Sequence, residues 1–135
     1  MGSQIDWQAL IEFALAARKH AYAPYSKFAV GAALVTESGE IFGGCNVENA
    51  SLGLTMCAER VALFAAVSAG FREFAGMALA TEAKNPVAPC GACRQVLAEF
   101  NASLPICCIG AKNLRDSYVL SALLPTHFVS FSATN

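Results

Sequence analysis

The first part of the chain has apolar residues at intervals of three and four, which is the period of an amphipathic helix. Asp6 stands directly before this pattern and is a suitable N-cap. We therefore expect a helix over residues 7–20. Its apolar face consists of Trp7, Leu10, Ile11, Ala14 and Ala17.

Two further helices are predicted from their start and stop signals. Thr55 is a candidate N-cap for a helix over residues 56–69, and Gly70 follows as its end. The third helix should follow the proline-containing loop at residues 85–89 and run to Phe100.

Strands are predicted where apolar and β-branched residues cluster between turn residues. The turn sequence at residues 37–40 joins the first two strands, which predicts a β-hairpin. The last part of the chain predicts a short strand and then a helical or irregular tail that begins at Leu123 and Leu124. The predicted strands are residues 28–35, 41–47, 74–81, 104–110 and 118–120.

The alternation of strands and helices predicts an α/β fold in which helices cover both faces of a central sheet. Each helix has one apolar face to bury, so a three-layer α-β-α sandwich satisfies them all. A length of 135 residues is enough for one core and short for two domains, so we expect residues 1–135 to form a single domain.

Composition adds expectations about partners and location. Hydrophobic residues make up 56% of the chain, with a mean hydropathy of +0.47, yet no apolar run approaches the length that spans a bilayer. We infer that the excess lies in subunit interfaces. The net charge of -1 provides no broad basic face for nucleic acid, and the first residues lack a secretory signal, which predicts a cytoplasmic protein.

Three of the six cysteines have an interpretable spacing. Cys90 and Cys93 form a Cys-x-x-Cys pair at a predicted helix start, and Cys57 lies at another. Three thiolates are suitable ligands for Zn²⁺, and they leave the fourth tetrahedral position for water, as in catalytic zinc sites. The spacing therefore predicts a zinc site, although Cys90 and Cys93 alone fit core thiols or a redox pair equally well.

Glu59 and Arg60 follow Cys57 directly. If Cys57 caps the helix, the Glu59 carboxylate lies within reach of water at the metal, where it would act as the general acid and base. The Arg60 guanidinium would stabilise the thiolates by its charge. Without a metal, the same two residues would be an ordinary solvated helix start.

Cys57-Ala58-Glu59 and Pro89-Cys90-Gly91-Ala92-Cys93 resemble the signature of zinc deaminases in its all-cysteine form. Three further segments make the chain similar to the short homotetrameric cytidine deaminases, whose motifs occur in the same order along nearly the whole length. That resemblance implies a mixed central sheet and the zinc-dependent hydrolysis of cytidine and 2′-deoxycytidine to uridine and 2′-deoxyuridine, a reaction of pyrimidine salvage. The segments are Tyr25 to Ala33, Gly44 to Ala50 and Leu123-Leu124-Pro125.

The resemblance also implies roles for residues at the substrate. Asn46 and Glu48 would hold the ribose 3′-hydroxyl, with Phe28 beside the nucleoside. The N–H of Ala58 would bind the pyrimidine O2, and Phe128 of a neighbouring subunit would stack on the base. On sequence alone, the polar pair could equally be hydrated and the aromatic residues could be ordinary packing residues.

Two positions depart from the family pattern. Leu52 stands where many relatives have Tyr, so a hydroxyl contact from the adjacent subunit to the ribose 5′ end is not expected here. Ala88 stands where many have Ser or Thr, but the family uses the backbone carbonyl of this residue for the leaving amine, so that contact should persist.

Two other functions fit parts of this pattern. A structural zinc module would result if Cys45 were a fourth ligand, and Glu59 would then have no task. A deaminase of another substrate, such as a nucleotide, an aminonucleoside or polynucleotide cytosine, would keep the metal chemistry. The acidic charge balance weighs against phosphorylated and polymeric substrates.

Overall fold

The computed structural model describes residues 4–131. Within them the chain forms five strands and four α-helices, and two short 3₁₀ turns at Leu52–Leu54 and Ala111–Asn113. The order is α1 Trp7–Arg18, β1 Gly31–Thr36, β2 Ile41–Cys45, α2 Ala58–Ser68, β3 Phe74–Ala80, α3 Gly91–Ala98, β4 Pro105–Ile109, β5 Arg115–Val119 and α4 Leu120–Leu123. No helix in this part of the chain is both long and apolar enough to cross a membrane.

The strands form one sheet in the order β2-β1-β3-β4-β5. β1 pairs antiparallel with both β2 and β3, and β4 pairs antiparallel with β5. β3 and β4 run parallel, so their connection must cross over the sheet, and α3 lies within it. The predictions of a mixed sheet and of a β-hairpin are therefore confirmed.

Helices cover both faces of this sheet. On one face, α1 buries Leu10 and Ile11 against Ala33 of β1 and Ala78 of β3. Because successive residues of a strand point to opposite faces, their neighbours in the strands pack against α2 and α3 on the other side. The three-layer α-β-α arrangement is thus confirmed. The strand residues of this second cluster are Ala32, Leu34, Phe74, Met77, Leu79, Ile106 and Cys108.

The first helix begins as predicted, because the Asp6 carboxylate accepts a hydrogen bond of 3.1 Å from the N–H of Ala9. The predicted cap of α2 is wrong. The N-cap is Cys57, and the Thr55 hydroxyl instead accepts a bond from the N–H of Asn49. Met56 forms a β-bridge with Val47, which keeps the chain extended up to Cys57 and delays the start of the helix.

The end of the chain also differs from the prediction. β5 begins at Arg115, three residues before the predicted strand, and the last helix ends at Leu123 rather than beginning there. Arg115, Asp116 and Ser117 are polar and exposed, so they have no apolar alternation to indicate a strand. Backbone pairing with β4 at the sheet edge makes them one nevertheless.

A glycine brings the start of α2 close to the sheet. A Cβ atom at Gly44 of β2 would lie 2.5 Å from the backbone N of Ala62 and 2.6 Å from the carbonyl O of Ala58. Only a residue without a side chain allows this approach. This contact sets the distance between the sheet and the N-terminus of α2, which carries Cys57 and Glu59.

Candidate active site

Two helix N-termini bring three thiols together. Cys57 is the N-cap of α2, Cys90 is the N-cap of α3, and Cys93 lies in the first turn of α3. The Sγ atoms of Cys57 and Cys90 are 3.8 Å apart, those of Cys90 and Cys93 are 3.4 Å apart, and all three lie within 4.8 Å of one another. We call these three residues the thiol cluster.

The geometry of the thiol cluster fits a zinc ion. Sulfur ligands at about 2.3 Å from one tetrahedral ion lie roughly 3.8 Å from each other. The separations of Cys57 from Cys90 and of Cys90 from Cys93, 3.8 and 3.4 Å, are close to this value. Neither Cys57 nor Cys90 spends its side chain on capping its helix, so both thiols are available as ligands. Among the described residues, no other group of cysteine, histidine or carboxylate side chains has metal-ligand geometry, and Cys45 lines a different groove.

The protonation preferences of the thiol cluster also favour a bound cation. Burial, and then the nearby Glu59 carboxylate, raise the pKa of Cys93. Burial acts to raise the pKa of Cys90 as well, but the N–H of Cys93 and the neighbouring thiols outweigh it and lower that pKa. Three crowded thiols cannot all ionise without a compensating positive charge, and a dication provides it.

Arg60 supplies part of that charge from behind the cluster. Its Nη2 atom lies 3.3 Å from Cys57 Sγ. This bond to the sulfur is the largest cause of the raised pKa of the guanidinium, which stays positive. Its Nε atom is buried and has no hydrogen-bond partner among the described residues.

Glu59 is the second residue of α2 and is only 4% exposed. Burial raises the pKa of its carboxyl above the usual value. A carboxyl with a raised pKa accepts a proton more readily than an ordinary carboxyl, which suits it to general acid–base chemistry. Cys57 caps the helix, which was the condition for Glu59 to face the metal position.

A cavity of about 260 Å³ connects these residues with most of the predicted substrate contacts. Two of the thiols and Glu59 lie in its lining, and so do all residues except Phe128 that the family resemblance assigns to the base and the sugar. The lining consists of Ser26, Phe28, Val30, Asn46, Glu48, Thr55, Cys57, Ala58, Glu59, Leu79, Thr81, Val87, Ala88 and Cys90.

Asn46 lines the cavity, is 8% exposed, and forms hydrogen bonds with the segment before β1. Its Nδ2 donates to the carbonyl of Phe28 at 2.8 Å, and its Oδ1 accepts from the N–H of Val30 at 2.9 Å. These bonds explain why β1 starts at Gly31 rather than at the predicted residue 28. The Phe28 carbonyl and the Val30 N–H therefore bond to the Asn46 side chain, and the Val30 carbonyl makes the last backbone bond of the pairing, accepting from the N–H of Asn46 at 3.2 Å.

Glu48 is 9% exposed and holds the preceding part of the same loop. Its Oε1 accepts from the N–H groups of Tyr25 and Ser26 at 2.9 and 3.1 Å, and its Oε2 accepts from the Ser26 hydroxyl. The hydroxyl bond contributes most to a lowered pKa of Glu48, which therefore remains ionised. We call Ser26, Asn46 and Glu48 the polar wall of the cavity.

Phe128 lies outside the cavity of its own chain. It is 58% exposed, and its backbone N–H and carbonyl bond to the side chain of Gln95 at 3.1 and 2.9 Å. Its ring stacks against Phe131. Leu52 is also exposed, in the 3₁₀ turn before α2.

Sequence reasoning missed several residues of the cavity. Ser26 lies in the motif that contains Phe28, but no role was assigned to it. Thr81 is a buried polar residue directly after β3, and a polar side chain at the end of an apolar strand was the signal that could have identified it. Thr55 was assigned to helix capping and instead lines the cavity.

Comparison with known proteins agrees with this geometry. Residues 5–109 match the family described as the cytidine and deoxycytidylate deaminase zinc-binding region. The cytidine deaminase of Sporosarcina psychrophila is 48% identical over 125 residues, which cover 92% of each chain. That of Halalkalibacterium halodurans is 56% identical over 96 residues, covering 71% of this chain and 73% of the relative.

The fold is also similar to that of a cytidine deaminase whose structure has been solved. The crystal structure of cytidine deaminase from Burkholderia pseudomallei has 52% identity and a TM-score of 0.89, and the match covers 92% of this chain and 100% of that one. The thiol cluster lies within the matched zinc-binding region. This chain therefore belongs to the zinc-binding cytidine and deoxycytidylate deaminase family.

Proposed function

We propose that this protein is a zinc-dependent cytidine deaminase that converts cytidine and 2′-deoxycytidine to uridine and 2′-deoxyuridine, with release of ammonia, in pyrimidine salvage. The observation that carries the proposal is one cavity that joins the thiol cluster, a buried glutamic acid and a polar wall suited to a sugar. Residues 1–135 act as one catalytic domain, which agrees with the single sheet and with the length of the family match.

Cys57, Cys90 and Cys93 hold the zinc ion. Bound zinc supplies a Lewis acid that lowers the pKa of water toward neutrality. Arg60 and the N-termini of α2 and α3 stabilise the thiolate form of these ligands, because the helix dipoles and the guanidinium place positive charge beside the sulfur atoms.

Glu59 moves the protons of the reaction. Its carboxylate accepts a proton from the attacking water and delivers it to N3 of the ring, which prepares C4 for attack. The water oxygen bonds to C4, and Glu59 then takes the remaining proton of this new hydroxyl and delivers it to the 4-amino group. The C4–N bond breaks, ammonia leaves, and the oxygen stays on C4 as the carbonyl of uridine. Burial of Glu59 supports both roles, since a raised pKa allows one residue to act as base and then as acid.

The backbone around the cavity recognises the base. Ala58 is the first residue of α2, so its N–H has no acceptor within the helix and is free to bind the pyrimidine O2. The carbonyl of Ala88 accepts from the leaving amine, and Phe28 packs beside the nucleoside. Both residues line the same cavity as Glu59, which supports these assignments.

The polar wall matches a sugar hydroxyl in its remaining hydrogen-bond capacity. Asn46 donates one of its two amide hydrogens to Phe28 and keeps the other. Glu48 keeps an acceptor position on Oε2. A hydroxyl group both donates and accepts, so the ribose 3′-hydroxyl donates to Glu48 and accepts from Asn46.

The protein acts as a cytoplasmic homotetramer with shared active sites, in which Phe128 of a neighbouring subunit stacks on the base. The exposure of Phe128, which does not line its own cavity, supports this role, as does the exposure of Leu52 and Leu54 next to the cavity residue Thr55. Reduced thiols, which the zinc site requires, are maintained in the cytoplasm. Light scattering on the purified protein measures the subunit number.

Loss of cytosine absorbance tests the proposed function. Purified protein is incubated with cytidine, 2′-deoxycytidine, deoxycytidylate, an aminonucleoside and single-stranded DNA, with and without a zinc chelator. We expect turnover of the two nucleosides that stops when zinc is removed and returns when zinc is restored. The proposal would be contradicted if deoxycytidylate, the aminonucleoside or single-stranded DNA were turned over and the two nucleosides were not. It would also be contradicted if turnover persisted in metal-free protein.

A further inference from the structure

The Ser26 hydroxyl stands between the carboxylate of Glu48 and the backbone of Phe28. It donates to Glu48 Oε2 and accepts from the N–H of Phe28 at 3.0 Å. Lys27, between these residues, has a φ of 62° and closes a turn by donating to the carbonyl of Ala23 at 3.0 Å. A left-handed conformation is unfavourable for lysine, so other contacts must hold it. The bonds to Glu48 and Ser26 are those contacts.

The Ser26 hydroxyl also controls how much of Glu48 remains free. A carboxylate has roughly four lone-pair positions, two on each oxygen. Oε1 is filled by the N–H groups of Tyr25 and Ser26, and the Ser26 hydroxyl fills one position on Oε2. A single acceptor position remains, and its direction is set because the carboxylate cannot rotate without breaking these bonds.

We propose that Ser26 is a positioning residue that fixes the one free acceptor of Glu48 toward the 3′-hydroxyl of the substrate. This inference rests on the proposed function, because it concerns how that enzyme distinguishes nucleosides with a 3′-hydroxyl from those without one. Ser26 acts through Glu48 and does not itself bind the base.

A second serine–glutamate pair provides a matched control. In the hairpin turn, Ser38 donates to Oε1 of Glu40, and this pair lowers the pKa of Glu40 as Ser26 lowers that of Glu48. Neither Ser38 nor Glu40 lines the cavity. Loss of the Ser38 hydroxyl removes the same type of bond without affecting the polar wall.

Two substrates that differ only at the 3′ position test the inference. For Ser26→Ala, kcat/KM for 2′-deoxycytidine should fall about tenfold, mainly through KM, because a hydrogen bond to a charged group loses its alignment. For 2′,3′-dideoxycytidine, kcat/KM should fall by less than about twofold, since there is no 3′-hydroxyl to bind. Ser26→Thr keeps the hydroxyl and should restore the preference, and Ser38→Ala should match the wild type on both substrates.

Equal losses on the two substrates would mean that Ser26 only supports the fold, and no loss on either would mean that Glu48 is positioned without it; both results overturn the inference. A Ser26→Thr variant that behaves like Ser26→Ala also overturns it. The zinc content of each variant should equal that of the wild type. Wild-type turnover of 2′-deoxycytidine is the separate test of the proposed function, and its absence would contradict that function itself.

Discussion

The thiol cluster and the polar wall line one cavity but are built in different ways. The thiol cluster stands on the N-termini of two regular helices, and its side chains contact one another, Arg60 and the Glu59 carboxyl. The polar wall lies in irregular segments, and most of its hydrogen-bonding groups are already used within the chain. The comparison teaches that the thiol cluster requires an external cation. The polar wall is preformed and offers a substrate only the hydrogen-bonding groups that the chain itself does not use.

This difference predicts how substitutions divide between kcat and KM. Changes beside the thiol cluster should remove chemistry while leaving substrate binding, because they act on proton transfer and metal. Changes in the polar wall should weaken binding while leaving chemistry, because they act on the sugar.

The largest effect is expected for Glu59→Gln. The amide keeps the size of the carboxyl but cannot accept and return protons, so kcat should fall by at least ~10²- to 10⁴-fold. Metal analysis should find zinc at the wild-type level, because Glu59 is not one of the three thiol ligands. Near-normal turnover of cytidine by this variant would refute the role assigned to Glu59.

A smaller effect is expected for Glu48→Gln. The amide oxygen can still accept from Tyr25 and Ser26, but the amide nitrogen then faces the sugar as a donor. Asn46 also donates there, so the 3′-hydroxyl loses its acceptor. Steady-state kinetics on 2′-deoxycytidine should show a KM about 10- to 100-fold higher, with a much smaller change in kcat. A loss confined to kcat would abolish the distinction between the two regions.

The smallest effect on chemistry is expected for Gly44→Ala. The new Cβ would press on the backbone of α2 at Ala58 and Ala62, which should lower the free energy of unfolding by about 1–3 kcal/mol. Gly53→Ala is the matched control, since a Cβ there meets nothing within 4 Å. Thermal unfolding measures both variants, and equal stability of the two would show that α2 does not depend on this contact.

The sequence allowed the thiol cluster to be predicted better than the polar wall. Cys90 and Cys93 are one helical turn apart, and Cys57 precedes a helix, so helix geometry alone brings the thiols to helix ends. The roles of Asn46 and Glu48 came only from family resemblance. Their contacts join residues 16 to 23 positions apart, on either side of the β1–β2 hairpin, and no local pattern encodes such pairings.

The same reason explains the errors in the fold. Thr55 fits the local rule for an N-cap, but a β-bridge between Val47 and Met56 keeps the chain extended there. β5 has a polar sequence and exists because β4 offers an edge for pairing. Helix α1, which has a clear apolar period, begins at the predicted Trp7 and ends at Arg18, two residues before the predicted end, because one face of the helix carries most of the signal.

X-ray absorption at the zinc edge tests the central claim most directly, because it counts the atoms bound to the ion. We predict three sulfur ligands at about 2.3 Å and one lighter ligand at a shorter distance. Replacement of Cys45 by Ser should leave this spectrum unchanged, since Cys45 lies in a different groove. Four sulfur ligands in the wild-type protein would instead indicate a closed structural site and would contradict the account.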